Sequence, residues 1–246
     1  MLKEHDSHLF SKPWIEVLSR CLMLVLLTFA LSEMFVLKTG RLPPKADLLL
    51  RMCYFVTLAF FLFPQNALSR LSSLGAMAMW GLASLLSVII LLSITTMANL
   101  YVLAISSIAV TIVLMLMMSI VQLLKHLFNS HSSVAPLLTF VSFVVISAVP
   151  VWLGLWAEYA VDGEYSANIL IAMSPLSYFS VMLDYDYLRS AWFYQNTPFG
   201  ALRFDYLSPV YYSFLLLAST FVILVLSHLL EKKELISNLF KKEKTV

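Results

Sequence analysis

Two carboxylates flank a tyrosine at Asp184-Tyr185-Asp186, and Arg189 follows one helical turn after Tyr185. In a helical turn Asp186 and Arg189 approach each other and form an ion pair. An aromatic tract follows, with Trp192, Tyr194, Phe204 and Tyr206. Aromatic residues grouped with charges suit an outer docking patch or gate, and equally a belt at a membrane surface. Arg20 and Glu33 are ionisable residues in or near a long apolar run. Charge inside a membrane marks a substrate path or partner contact, whereas charge near a helix end anchors at the interface by snorkelling. Glu33 is thus a translocation-path candidate. Asn99 is a second one, although a helix cap or interhelical hydrogen bond also accounts for it, as it does for Gln122.

Bond-breaking chemistry finds little support. His5, His8, His126, His131 and His228 form no close helical pair with a carboxylate or cysteine, the spacing that zinc sites use. His126 and His131 are near enough in sequence to share a metal, or to be two solvated loop side chains. There is no Gly-x-Ser-x-Gly elbow, no His-Glu-x-x-His and no Walker A sequence. The chain is therefore read as a non-enzyme without a cofactor or metal, unable to hydrolyse ATP by itself. A lipid-modifying enzyme would need a nucleophile–base pair or metal set that the sequence does not supply. Cys21 and Cys53 lie within apolar runs and read as packed thiols rather than a disulfide framework. The methionines Met115, Met117 and Met118 read as core or lipid contacts rather than a copper site.

The 246 residues are 61% hydrophobic and only 12% charged, with a mean hydropathy of +0.87. A soluble domain carries about 25% charged residues, so too little polar surface remains to cover a globule in water. The net charge of +2 and the dispersed basic residues give no footprint for nucleic acid. A single all-α transmembrane domain embedded in a lipid bilayer is expected.

Six spans are expected, the first running to Leu37 after an N-cap at Ser11 and Pro13 in the first turn. Lys38, Gly40 and the Pro43-Pro44 pair end it. The others are residues 48–63, 74–94, 100–124, 134–156 and 210–230. Arg51 is expected to snorkel at the end of the second. Small residues on the third (Gly75, Ala78, Gly81 or Leu82, Ser84, Ser87) suit close helix approach in lipid. Pro150 should kink the fifth. Residues 169–183 are apolar but short and interrupted by Ser174-Pro175. They form a re-entrant or interfacial helix pair, which protein burial makes tolerable at membrane depth, or else a poor seventh span.

The tail 231–246 holds Lys232, Lys233, Lys241, Lys242 and Lys244, and cytoplasmic loops are rich in Lys and Arg. With six spans both termini are cytoplasmic and residues 157–209 face outward. Lys38, Arg41 and Lys45 then lie on the outer side, against that bias. Seven spans would bring them inside, together with Glu158, Asp162 and Glu164.

This arrangement resembles the ABC-2 type permease family, in which paired short re-entrant helices precede the last transmembrane helix. The residues that carry the likeness are Ala172-Met173-Ser174-Pro175-Leu176-Ser177-Tyr178-Phe179. The resemblance implies an exporter permease in a bacterial cytoplasmic (inner) membrane, a homo- or hetero-oligomer driven by a P-loop ATPase in a separate chain. It also places the ATPase-coupling segment between spans two and three, where residues 64–73 offer Arg70 as their one charge. The contrasting expectation is a non-catalytic scaffold or assembly subunit that docks a partner through the outer aromatic segment.

Overall fold

The computed structural model describes residues 7–40, 42–62, 81–91, 100–128, 134–152, 159, 162–190 and 204–243. Among them the regular structure is helical, without a strand. The elements are α1 (Ser7–Thr39), α2 (Pro44–Leu62), α3 (Gly81–Leu91), α4 (Leu100–Phe128), α5 (Val134–Ser147), α6 (Gly163–Met173), α7 (Pro175–Met182) and α8 (Pro209–Glu243).

Among the described residues three helices contain stretches long and apolar enough to cross a membrane: Leu18–Thr39, Leu100–Phe128 and Pro209–Lys232. This is compatible with an integral membrane protein. Their outward faces carry Leu18, Leu22, Phe214 and Phe221, all well exposed. Such continuous apolar surface suits hydrocarbon rather than water. Several hydroxyls within the helices turn back on their own backbone, as Thr28 to the Leu24 carbonyl and Ser107 to that of Leu103. These local bonds satisfy a polar group without water.

The turn between α1 and α2 follows from its sequence. Gly40 adopts φ +88°, a left-handed conformation that costs glycine little, and its N–H bonds the Val36 carbonyl at 2.9 Å. The proline pair then starts α2, where a missing N–H is harmless. At the far end of this hairpin, Arg20 donates to the Leu62 carbonyl at 3.1 Å.

α4 is the central element. It packs against α8, α5, α7 and α2, while α1 lies along α2. Met52, Phe55 and Val56 of α2 meet a core that includes Val110, Val113 and Met117 of α4 and Phe179 of α7. On α3, Ser84 and Ser87 are buried and Leu82 is exposed. A Cβ added to Gly81 would lie 3.7 Å from the Met115 sulfur, so Gly81 rather than Leu82 belongs to the packed face.

One boundary differs from expectation. α1 begins at Ser7, ahead of the Ser11 cap, and continues through Pro13. The proline forfeits one backbone bond early in a long helix, which the following turns outweigh. The fifth helix is interrupted where Pro150 is expected to kink it: α5 runs to Ser147, Ala148 forms a turn, and residues 149–152 are helical again. Proline clashes with the carbonyl four residues earlier, and here the N–H groups of Val151 and Trp152 turn to the Ala148 carbonyl.

Candidate functional site

The break between α6 and α7 brings most of the bundle together. Asp162 caps α6, its carboxylate accepting from the Tyr165 N–H at 3.0 Å. α6 stops at Met173 because Pro175 cannot continue the ladder and restricts Ser174 to an extended conformation, φ −83°, ψ 120°. Pro175 then opens α7, whose first turn closes through the Ser177 N–H onto the Ser174 carbonyl at 3.0 Å. Ser174, Ser177, Tyr178 and Phe179 are essentially inaccessible to solvent.

Breaking a helix in such surroundings leaves backbone groups that need partners. Neighbouring helices supply them. The Tyr212 hydroxyl of α8 donates to carbonyls at the end of α6, lying 2.5 Å from that of Ala172 and 2.8 Å from that of Ser174. The Ser174 hydroxyl donates to the Ser147 carbonyl at 2.9 Å, so the ends of α5 and α6 cap through one side chain. Tyr178 Oη lies 3.0 Å from Ser213 Oγ. Ser213 already donates to the Pro209 carbonyl, which leaves Tyr178 as the donor. Ser177 pairs with the Tyr187 hydroxyl at 3.2 Å.

Beyond α7 the chain forms a polar clasp. The Ser180 hydroxyl bonds the Tyr185 carbonyl. Asp186 accepts from the Tyr206 hydroxyl at 2.7 Å and from the Arg189 N–H at 3.1 Å. The Arg189 guanidinium lies 3.3 Å from the other Asp186 oxygen and 5.4 Å from the centre of the Phe204 ring. Phe204 meets Tyr206 edge to face, and the Asp205 N–H donates to Asn168 of α6 at 2.8 Å. Burial, and next the adjoining Asp186 carboxylate, raise the Tyr206 hydroxyl pKa well above its usual value. Burial likewise pushes Tyr187 up to about 12. Both favour the neutral phenol.

A second polar cluster joins α1 to α2. Arg51 does not snorkel; its side chain is 5% exposed and turns into the helix pair. It donates to Asp47 at 2.9 Å, to the Ser32 hydroxyl at 2.8 Å and to Glu33 at 2.8 Å. The physical reason is local pairing: Asp47 lies one turn away on the same face, and α1 presents Ser32 and Glu33 opposite. An unpaired buried guanidinium would be far costlier.

Of the sequence-derived candidates, Asp186 and Arg189 meet in the clasp, Asp184 meets Lys45, and Glu33 meets Arg51. Arg70, Asn99, Trp192 and Tyr194 lie outside the described residues. The roles of Tyr212, Ser147 and Lys45 escape the sequence reading. The Asp186–Arg189 contact is expected from its i,i+3 spacing, whereas the i,i+4 spacing of Asp47 and Arg51 is a signal the sequence reading passes over.

The Lys45 ammonium donates to the Asp184 carboxylate at 2.9 Å and to its backbone carbonyl at 2.6 Å. This pair stands at the rim of a cleft of about 820 Å³ between the first turns of α4 and α8. The starts of α2, α4 and α8 and the end of α7 therefore share one end of the bundle. Among the described residues no group of three or more His, Cys, Asp or Glu side chains is placed to hold a metal ion. No protein-family model, curated protein or solved structure matches the chain.

Proposed function

We propose that the chain is the membrane-spanning permease subunit of an ABC-type exporter, moving its substrate with energy from a P-loop ATPase in a separate chain. The observation that carries this reading is the broken helix pair before the last helix. α7 is short, buried and surrounded by α2, α4, α5 and α8, and its interrupted backbone is satisfied by side chains of adjoining helices. Irregular backbone at membrane depth is tolerable under those conditions. α6 and α7 then form a re-entrant pair within a six-span bundle in the bacterial inner membrane, with both termini cytoplasmic. Lys45, an outer-side cation in this orientation, is neutralised there by Asp184. Subunits associate as a homo- or hetero-oligomer, and rigid-body movement of the helices opens a path past the clasp.

Gentle purification of the tagged protein from its native membrane, with mass spectrometry of what accompanies it, tests the proposal. The expected companion is a stoichiometric P-loop ATPase, lost when Arg70→Glu reverses the charge of the 64–73 segment. A different membrane or periplasmic partner and no ATPase would overturn the exporter reading in favour of a scaffold subunit.

A further inference from the structure

The cleft at the outer end of α4 and α8 has the build of an amphiphile site. Its walls are Val102 and Ile105 of α4 and Phe214 and Leu217 of α8, and Met182 and Leu183 at the end of α7 also line it. A volume of about 820 Å³ falls within the ~300–1,000 Å³ of ordinary small-ligand sites. Such walls suit an acyl chain, which fills them by packing contacts, better than they suit water.

One end is different. Lys45 and Asp184 stand at the rim with side chains 52% and 99% exposed, joined at 2.9 Å. Asp184 has φ +49° immediately after the α7 cap. Glycine usually takes that position, and aspartate there sets a carboxylate beside the cleft. A charge pair this exposed is held weakly because water competes for both partners. The carboxylate can therefore turn to a ligand cation at little cost, while Lys45, also bonded to the Asp184 backbone carbonyl at 2.6 Å, stays in place with three ammonium donors to share with a ligand anion.

We propose that this cleft binds a phospholipid with a zwitterionic phosphoethanolamine headgroup, drawn from the surrounding leaflet. The phosphate takes the Lys45 ammonium, the lipid ammonium donates to the Asp184 carboxylate, and one acyl chain lies between α4 and α8. A choline headgroup has no N–H to donate, and an anionic glycerol headgroup brings no cation to Asp184. The proposal deepens the permease reading by naming its substrate class, and rests on that reading for transport alone; binding requires no ATPase.

The full chain in nanodiscs, doped with phosphatidylethanolamine carrying a photoactivatable diazirine on one acyl chain, gives the test. Labelled residues are mapped by mass spectrometry after irradiation. Labelling is expected to concentrate at residues 101–105 and 210–217 over the exposed face of α1 at Leu18, Leu22 and Leu26. Matched phosphatidylcholine and phosphatidylglycerol probes, which lack the donor to Asp184, should show that concentration lowered ~2- to 5-fold. Lys45→Met and Asp184→Asn should each lower it ~2- to 5-fold, the range of an exposed charge contact. Even labelling of all apolar faces would overturn the proposal, as would enrichment indifferent to headgroup in the wild-type protein. The headgroup comparison needs no variant to fold. If no ATPase accompanies the protein from its native membrane, the exporter reading falls, and headgroup-selective labelling in nanodiscs still leaves the lipid site standing.

Discussion

Removing Arg51 should destabilise the bundle far more than removing the partner it meets most visibly, Glu33. Arg51 is 5% exposed and makes three side-chain bonds, to Asp47, Ser32 and Glu33. The Asp47 side chain is 20% exposed. Its Oδ1 is buried and has no hydrogen-bond partner among the described residues, and Arg51 is the partner of Oδ2. Arg51→Met therefore strands a carboxylate, and breaking such a buried pair costs about 3–5 kcal/mol. Glu33 is 44% exposed; Glu33→Gln leaves Arg51 bonded to Asp47 and should cost only ~0.5–1.5 kcal/mol. Combining Arg51→Met with Asp47→Leu and Glu33→Gln removes the stranded charge. It should recover all but ~1–2 kcal/mol, as apolar replacements of buried ion pairs do.

The assay is equilibrium unfolding of purified protein in a rising proportion of denaturing to mild detergent. A fluorogenic maleimide reads the thiols of Cys21 and Cys53, both packed against the core and neither in a disulfide. Equal losses for Arg51→Met and Glu33→Gln would refute the reasoning, as would a triple variant no more stable than Arg51→Met.

Other outcomes follow from the hub and the clasp. Tyr212→Phe keeps the ring and deletes the donor to the Ala172 and Ser174 carbonyls, so it should cost ~1–3 kcal/mol in the same unfolding assay. Ser174→Ala removes the cap on the Ser147 carbonyl and should cost ~1–2 kcal/mol, read likewise. The Tyr206 pKa is raised in the folded chain from the ordinary value of 10.0. The folded state thus keeps a proton that the unfolded state loses. Its contribution is complete below pH 10 and declines as pH climbs towards the folded pKa. Tyr206→Phe should flatten the loss of stability between about pH 10 and 11, measured as unfolding midpoint against pH.

The sequence makes the broken helix legible because Ser174-Pro175 interrupts an apolar run too short to span. Its partners were hidden: Tyr212 and Ser147 lie 38 and 27 residues from Ser174 along the chain, and nothing in local spacing connects them. Asp186 and Arg189 were legible for the opposite reason, since an i,i+3 pair needs only one helical turn. Arg51 misled because hydropathy treats a cation near a helix end as interfacial. Its fate was decided by Ser32 and Glu33 on another helix. Lys45, a misfit in the charge bias between loops, has its counter-charge 139 residues away in Asp184.

A re-entrant pair requires α6 and α7 to enter and leave the membrane on the same side. Single cysteines at Glu164 and Asp186, in a chain with Cys21 and Cys53 replaced by alanine, measure this with a membrane-impermeant maleimide. Both positions should react in intact cells, while one placed at Lys232 reacts only after the membrane is opened. Labelling of Glu164 and Asp186 from opposite sides would make 163–182 a seventh span and contradict the re-entrant pair on which the exporter reading stands.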